Sequence, residues 1–215
     1  TLSLRGAPAR AIERITLADR VAPPDDLRAD ARVAFITGDL LALIDDKQIP
    51  VAGTDAVFHL AAAVSGECEA DFDLGMRSNL EATHKMLEGC RAMGSQPVFV
   101  FASSLAVFGK QPGRPLPDPI TDDTLPTPQS SYGIQKFIGE QLVADFSRKG
   151  FIAGRSCRLM TVSVRAGEGL DVVGSARADG RNRAELVRVG KVQQRAAKPS
   201  TVYTLRDGRQ IREAR

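Results

Sequence analysis

The sequence predicts an α/β domain built on a parallel sheet. Two observations carry this. Short β-favouring segments alternate with segments of helical period along residues 14–164. One strand candidate, Pro97-Val-Phe-Val-Phe-Ala102, is apolar without alternation. Strand–helix alternation favours parallel strands joined by right-handed crossovers. An unbroken apolar run suits a strand buried on both faces, the pattern of parallel sheets.

Arg14-Ile-Thr-Leu-Ala18 alternates, ends at Asp19 and meets the turn cluster Val-Ala-Pro-Pro-Asp-Asp. Arg32-Val-Ala-Phe-Ile36 is a second strand, running out in Thr-Gly-Asp39-Leu40. Residues 40–47 make a short helix. Asp55-Ala-Val-Phe-His59 is a third strand and leads into Leu60-Ala61-Ala62-Ala63. Residues 71–94 read as one long helix, with Phe72, Met76, Leu80, Thr83, Leu87 and Cys90 at helical spacing and Gly94 as the stop. Residues 109–128 hold six of the twelve prolines, and a long loop of that kind is often functional. Helical period returns over 129–149 and stops at Gly150, and Ser156 to Val164 is a last strand. After Arg165 the pattern fades into an irregular basic tail.

With 215 residues, 43% hydrophobic and 26% charged, the chain is an ordinary globular one. It has no apolar run of membrane-spanning length, so no membrane partner is expected. The opening Thr-Leu-Ser-Leu-Arg-Gly has neither an initiator Met nor a secretory apolar core and reads as the interior of a longer gene product. Cys68, Cys90 and Cys157 are odd in number and form no C-x-x-C, so free thiols in a reducing cytoplasm fit better than disulfides or a metal site. Residues 1–165 carry 18 Lys+Arg against 20 Asp+Glu, and residues 166–215 carry 11 against 6. The tail's charges are spread and accompanied by one aromatic, Tyr203, so nucleic-acid binding is not expected. Gly167-x-Gly169-x-x-x-x-Gly174 has the look of a phosphate loop but opens no helix, and a Gly-containing linker accounts for it.

In open α/β sheets ligands bind beyond the carboxyl ends of the strands. There the sequence places Asp19, Asp39, His59, Ser103 and Ser104. Tyr132 and Lys136, four apart on a helix, share one face. A phenol has a pKa of about 10, and a cation within about 4–6 Å lowers it by roughly 1–3 units. Tyr132 beside Lys136 is therefore a candidate general acid or base. With the Ser104 hydroxyl it would suit proton transfer coupled to hydride transfer.

The motifs Gly38-Asp39-Leu40, His59-Leu60-Ala61-Ala62, Asn79, Ser103-Ser104-Leu-Ala-Val-Phe-Gly109 and Tyr132-Gly-Ile-Gln-Lys136 occur in one order over about residues 12–165. In these the chain resembles the extended short-chain dehydrogenase/reductase family, the NAD-dependent epimerases and dehydratases. The resemblance implies an incomplete, Rossmann-like, doubly wound parallel sheet over 1–165, followed by a basic tail over 166–215. It implies NAD as cofactor and oxidation of a small hydroxy acid such as D-erythronate, with a nucleotide-sugar epimerase or an inactive fragment as alternatives. Ser104, Tyr132 and Lys136 match the catalytic triad. Asp19 matches the acid that takes the adenine-ribose hydroxyls, and Asp39 and Leu40 the residues flanking the adenine. Leu60, Ala61 and Ala62 match the small-residue segment under the cofactor, Asn79 the helix Asn near it, and Ser65 a contact near the nicotinamide or the substrate. The partner is then a small hydroxy-acid or sugar-derived substrate; a homodimer is left open.

The chain departs from the family in two places. It contains no Gly-x-x-Gly-x-x-Gly turn, and it starts just before the family's second strand. The family's first strand is central, so its absence predicts two unpaired strand edges and exposed apolar surface. The family's Arg-Leu-Pro-Thr is Arg158-Leu-Met-Thr161 here, and no motif of the family is recognised after Arg165.

Overall fold

The computed structural model describes residues 8–160 and, for the backbone alone, 202–204 and 210–212. The tail beyond these, the end of the strand predicted to run to Val164 and the Gly167–Gly174 motif lie outside the described residues. The chain divides into two compact units, Thr1–Arg158 and Leu159–Arg215. In the second, β6 (Val202–Thr204) and β7 (Gln210–Arg212) pair as an antiparallel hairpin.

The first unit follows the predicted order. β1 (Ile15–Asp19) leads through a short α1 (Asp25–Arg28) to β2 (Val33–Thr37), and the two strands pair in parallel from Ile15↔Val33 to Asp19↔Thr37. Next come α2 (Leu40–Asp45), β3 (Ala56–His59), α3 (Ser65–Ala70) and α4 (Phe72–Gly75). A π-helical turn, Met76–Glu81, runs straight into α5 (Ala82–Met93), which Gly94 ends in the left-handed region. β4 (Val98–Ser104), a 3₁₀ turn (Leu105–Val107), α6 (Ser131–Arg148) and β5 (Ala153–Leu159) complete the unit. β3 and β4 are parallel, and β4 lies between β3 and β5.

The sheet is in two pieces, β1–β2 and β3–β4–β5. This is the predicted division. Both pieces rest on one core. Leu43 and Ile44 of α2, Met86, Leu87 and Cys90 of α5, Phe99 and Phe101 of β4, and Val143 and Phe146 of α6 form it. Ala18 and Ile36 from the first piece and Val57 from the second pack against it.

Two sequence expectations need correction, and one helix went unread. The β4 run is not buried on both faces: Phe99, Phe101 and Ser103 are buried, while Val98, Val100 and Ala102 are half-buried. The cause is one-sided packing, since α5 and α6 share the core with Phe99 and Phe101. Phe58 on the adjacent β3 is 47% exposed, and Phe35 on β2 of the other piece 42%. The long helix 71–94 begins with a separate turn and is widened at Asn79, whose side chain turns inward. Finally, α3 has no apolar period to reveal it. Its first turn is set by a local bond, the Val64 amide donating to Glu67 Oε2 at 2.9 Å.

Candidate active site

The Pro-rich segment 109–128 returns the chain to the end of β4, where the Thr127 amide donates to the Val107 carbonyl and its hydroxyl to the Gly109 carbonyl. α6 then starts under two caps. Ser130 Oγ accepts from the Gly133 amide at 3.1 Å, and Glu69 Oε1 of α3 accepts from the Ser131 amide at 2.7 Å. Gly133 lets this helix start press on the turn after Ser104: a Cβ there would lie 2.2 Å from the Ala106 carbonyl oxygen. Further along, a Cβ on Gly139 would lie 2.6 Å from Phe101 Cζ. Two glycines thus set the approach of α6 to β4, and the approach brings Ser104, Tyr132 and Lys136 together.

Ser104 Oγ accepts from the Ala106 amide at 3.1 Å, and its hydroxyl pulls the pKa of the nearby Tyr132 phenol down. Lys136 is 3% exposed. Its Nζ donates to the Ala102 carbonyl at 2.8 Å, 4.9 Å from the centre of the Phe101 ring and 5.6 Å from that of Tyr132. Burial holds the Lys136 pKa down at about 8. The Tyr132 phenol moves the other way: burial raises its pKa above the ordinary value, against the pull of Ser104. The expected lowering by Lys136 is therefore corrected, because the ammonium faces the ring and a backbone carbonyl.

Behind these three residues, His59 Nε2 is 2.8 Å from Thr83 Oγ1, and Thr83 donates to the Asn79 carbonyl at 2.6 Å. The Thr83 proton is committed, so His59 carries its proton on Nε2 and donates. Its ring stacks on Phe101, and burial, with Lys136 nearby, pushes its pKa down to about 4. Asn79, 2% exposed, accepts from the Ala63 amide at 2.8 Å and donates to Gln135 Oε1 at 2.8 Å, with the Ala63 carbonyl at 3.1 Å. Its polar atoms are occupied inside the protein, so it shapes the loop after β3. Ser103, expected to be a structural hydroxyl, is buried and donates to Glu140 Oε1 at 2.6 Å. The cysteines are free thiols, two of them buried.

A cavity of about 280 Å³ gathers five of the other predicted residues. Asp19, Asp39, Leu40, Ala61 and Ala62 line it; Leu60, Ser65 and Asn79 are not among its lining residues. Two charged lining residues escaped the sequence reading, Arg20 and Glu67. Arg20 Nη2 donates to Asp39 Oδ2 at 2.7 Å, and this bond holds the Asp39 carboxyl below its usual range. Its position beside Asp19 at a strand end was the available signal. A larger open groove of about 430 Å³, lined by Val143, Ser147, Gly154 and others along α6 and β5, includes none of the predicted residues. Among the described residues no cluster of metal-ligating side chains occurs, and no helix is long and apolar enough to cross a membrane.

Comparison with known proteins adds independent findings. The model of the NAD dependent epimerase/dehydratase family matches residues 5–213. A D-erythronate dehydrogenase of Cupriavidus necator is 54% identical over 168 residues, 78% of this chain and 50% of the relative. The crystal structure of a nucleoside-diphosphate-sugar epimerase from Agrobacterium tumefaciens is 41% identical with a TM-score of 0.64, over 79% of this chain and 49% of that one. MoeE5 in complex with UDP-glucuronic acid and NAD is 29% identical with a TM-score of 0.54, over 66% of this chain and 44% of that one. The chain spans about half the length of these relatives.

Proposed function

Because the chain belongs to the NAD dependent epimerase/dehydratase family, we propose that it carries the catalytic half of an NAD-dependent dehydrogenase that oxidises D-erythronate or a similar small hydroxy acid. The observation that carries this reading is the convergence of Ser104, Tyr132 and Lys136 at the carboxyl end of β4. The identity to D-erythronate dehydrogenase supports the choice of substrate. The free thiols support a reducing compartment such as the cytoplasm.

The residues present fit the adenosine half of the cofactor. Asp19 offers a carboxylate to ribose hydroxyls and disfavours a 2′-phosphate. Leu40 offers an apolar wall, and Ala61 and Ala62 permit close backbone approach. These residues line one cavity. Lys136 has three donors, one of them on Ala102, which leaves N–H groups for a ribose hydroxyl. NAD supplies the hydride acceptor when bound.

The chain's own residues handle the proton. Tyr132 Oη is the atom that takes it from the substrate hydroxyl, and Ser104 orients that hydroxyl. Since burial holds the phenol protonated at neutral pH, oxidation requires its prior ionisation and accelerates with rising pH. The reverse reduction uses the protonated phenol directly.

The test mixes the purified chain with NAD and D-erythronate and follows the near-ultraviolet absorbance of the reduced nicotinamide. Accumulation with D-erythronate, lost in Tyr132→Phe, is the expected result. The similarity to nucleotide-sugar enzymes supports a second reading, an epimerase. Turnover of UDP-glucose without net nicotinamide reduction would replace the first reading by the second.

A further inference from the structure

We propose that Glu140 is a positioning residue: its carboxylate, gripped by Arg158, holds the end of β4 through Ser103 and so sets the Ser104 hydroxyl against the Tyr132 phenol. The dehydrogenase reading enters only in calling Ser104 and Tyr132 reactive.

Glu140 follows Tyr132 and Lys136 on one face of α6, at steps of four residues. Arg158 Nε donates to Glu140 Oε1 at 2.9 Å and Nη2 to Oε2 at 2.7 Å. Among the described residues this is the one ion pair with both partners largely shielded, at 23% and 6% exposure. Burying such a pair costs desolvation that its attraction only roughly offsets, so its use is better sought in geometry than in stability. The geometry is specific. Ser103 Oγ donates to Glu140 Oε1 at 2.6 Å, immediately before Ser104. The Arg158 guanidinium also lies 4.9 Å over the Phe108 ring, just after the 3₁₀ turn. One ion pair from α6 and β5 therefore fixes both ends of the segment 103–108, and Ser104 lies inside it.

Tyr132 itself reports the outcome. The chain has two tyrosines and no tryptophan, so Tyr203→Phe leaves tyrosinate absorbance as a signal from Tyr132 alone. Burial and Cys68 raise the pKa of this phenol and Ser104 lowers it, while Lys136, with a pKa of about 8, lies over the ring as a largely uncharged amine where the phenol ionises. Ser104→Ala removes a hydroxyl that pulls the phenol pKa down, and the midpoint rises. Glu140→Gln is expected to raise it in the same direction, by about half a unit or more. In the Ser104→Ala background Glu140→Gln is expected to add nothing, because its effect passes through that hydroxyl. Ser103→Ala, which leaves the Glu140–Arg158 pair in place, gives the same pattern and decides alone if Glu140→Gln does not fold. A lower urea midpoint with an unmoved phenol midpoint overturns the proposal, as does a shift that persists without Ser104. The titration needs no turnover. A parent chain that fails to oxidise D-erythronate thus defeats the dehydrogenase reading and not this one.

Discussion

The Lys136 ammonium meets Tyr132 across the face of its ring, 5.6 Å from the centroid, while its Nζ donates to the Ala102 carbonyl. With a pKa of about 8, Lys136 is largely an uncharged amine at the pH where this buried phenol ionises, so it lends the phenolate little support there. Titrating the Tyr203→Phe chain is therefore expected to give a Tyr132 midpoint above the ordinary phenol value. A midpoint below that value would mean that the ammonium reaches the oxygen.

Lys136 makes stability depend on pH. Its folded pKa is about 8, against 10.5 when free. Between these values the unfolded chain binds more protons than the folded one, so stability rises with pH across the window. Lys136→Met removes the dependence. The variant's stability relative to the parent should be greatest below pH 8 and shrink by about 3 kcal/mol as the pH climbs to 10.5. Urea unfolding at several pH values measures this, and a constant difference would contradict it.

His59 acts at the acid end. It is 3% exposed and neutral when folded, with a pKa near 4 against 6.5 when free. Its contribution is complete above 6.5 and is lost as pH falls through 4. His59→Gln keeps a donor for Thr83 and should flatten that acid limb by about 3 kcal/mol in the same urea series.

The glycines of α6 make a steric prediction. Gly133→Ala would push a methyl into the Ala106 carbonyl, and Gly139→Ala one into Phe101. Each should cost about 1–3 kcal/mol of unfolding free energy. Gly66→Ala in α3 meets nothing within 4 Å. It should be neutral or stabilising by up to about 1 kcal/mol, since alanine is the better helix former.

The sequence displayed the parts of this site that depend on spacing along one element. Tyr132 and Lys136 share a helix face because they are four apart, and Asp19 and Ser104 end strands, with Asp39 just past one, because apolar runs stop beside them. Contacts across elements were not displayed. Nothing local tells that Lys136 bonds Ala102, that Asn79 is spent on Ala63 and Gln135, or that Arg20 closes on Asp39. The direction of the Tyr132 shift failed for the same reason: it depends on burial, which is set by the approach of α6 to β4. The π-helical turn at Asn79 carried no signal either, since the helical period runs through it unbroken.

The two-piece sheet has a dynamic corollary. Side-chain contact with the shared core, rather than a backbone ladder, links β1–β2 to β3–β4–β5 among the described residues. Such a pair of strands forms a small cooperative unit that opens ahead of the rest, and its amides should exchange with solvent sooner than those of β3 and β4. Asp19 and Leu40 ride with that unit, whereas Ala61 and Ala62 follow β3. A molecule seated between them would act as a clasp, slowing exchange in β1–β2 without touching most of its amides.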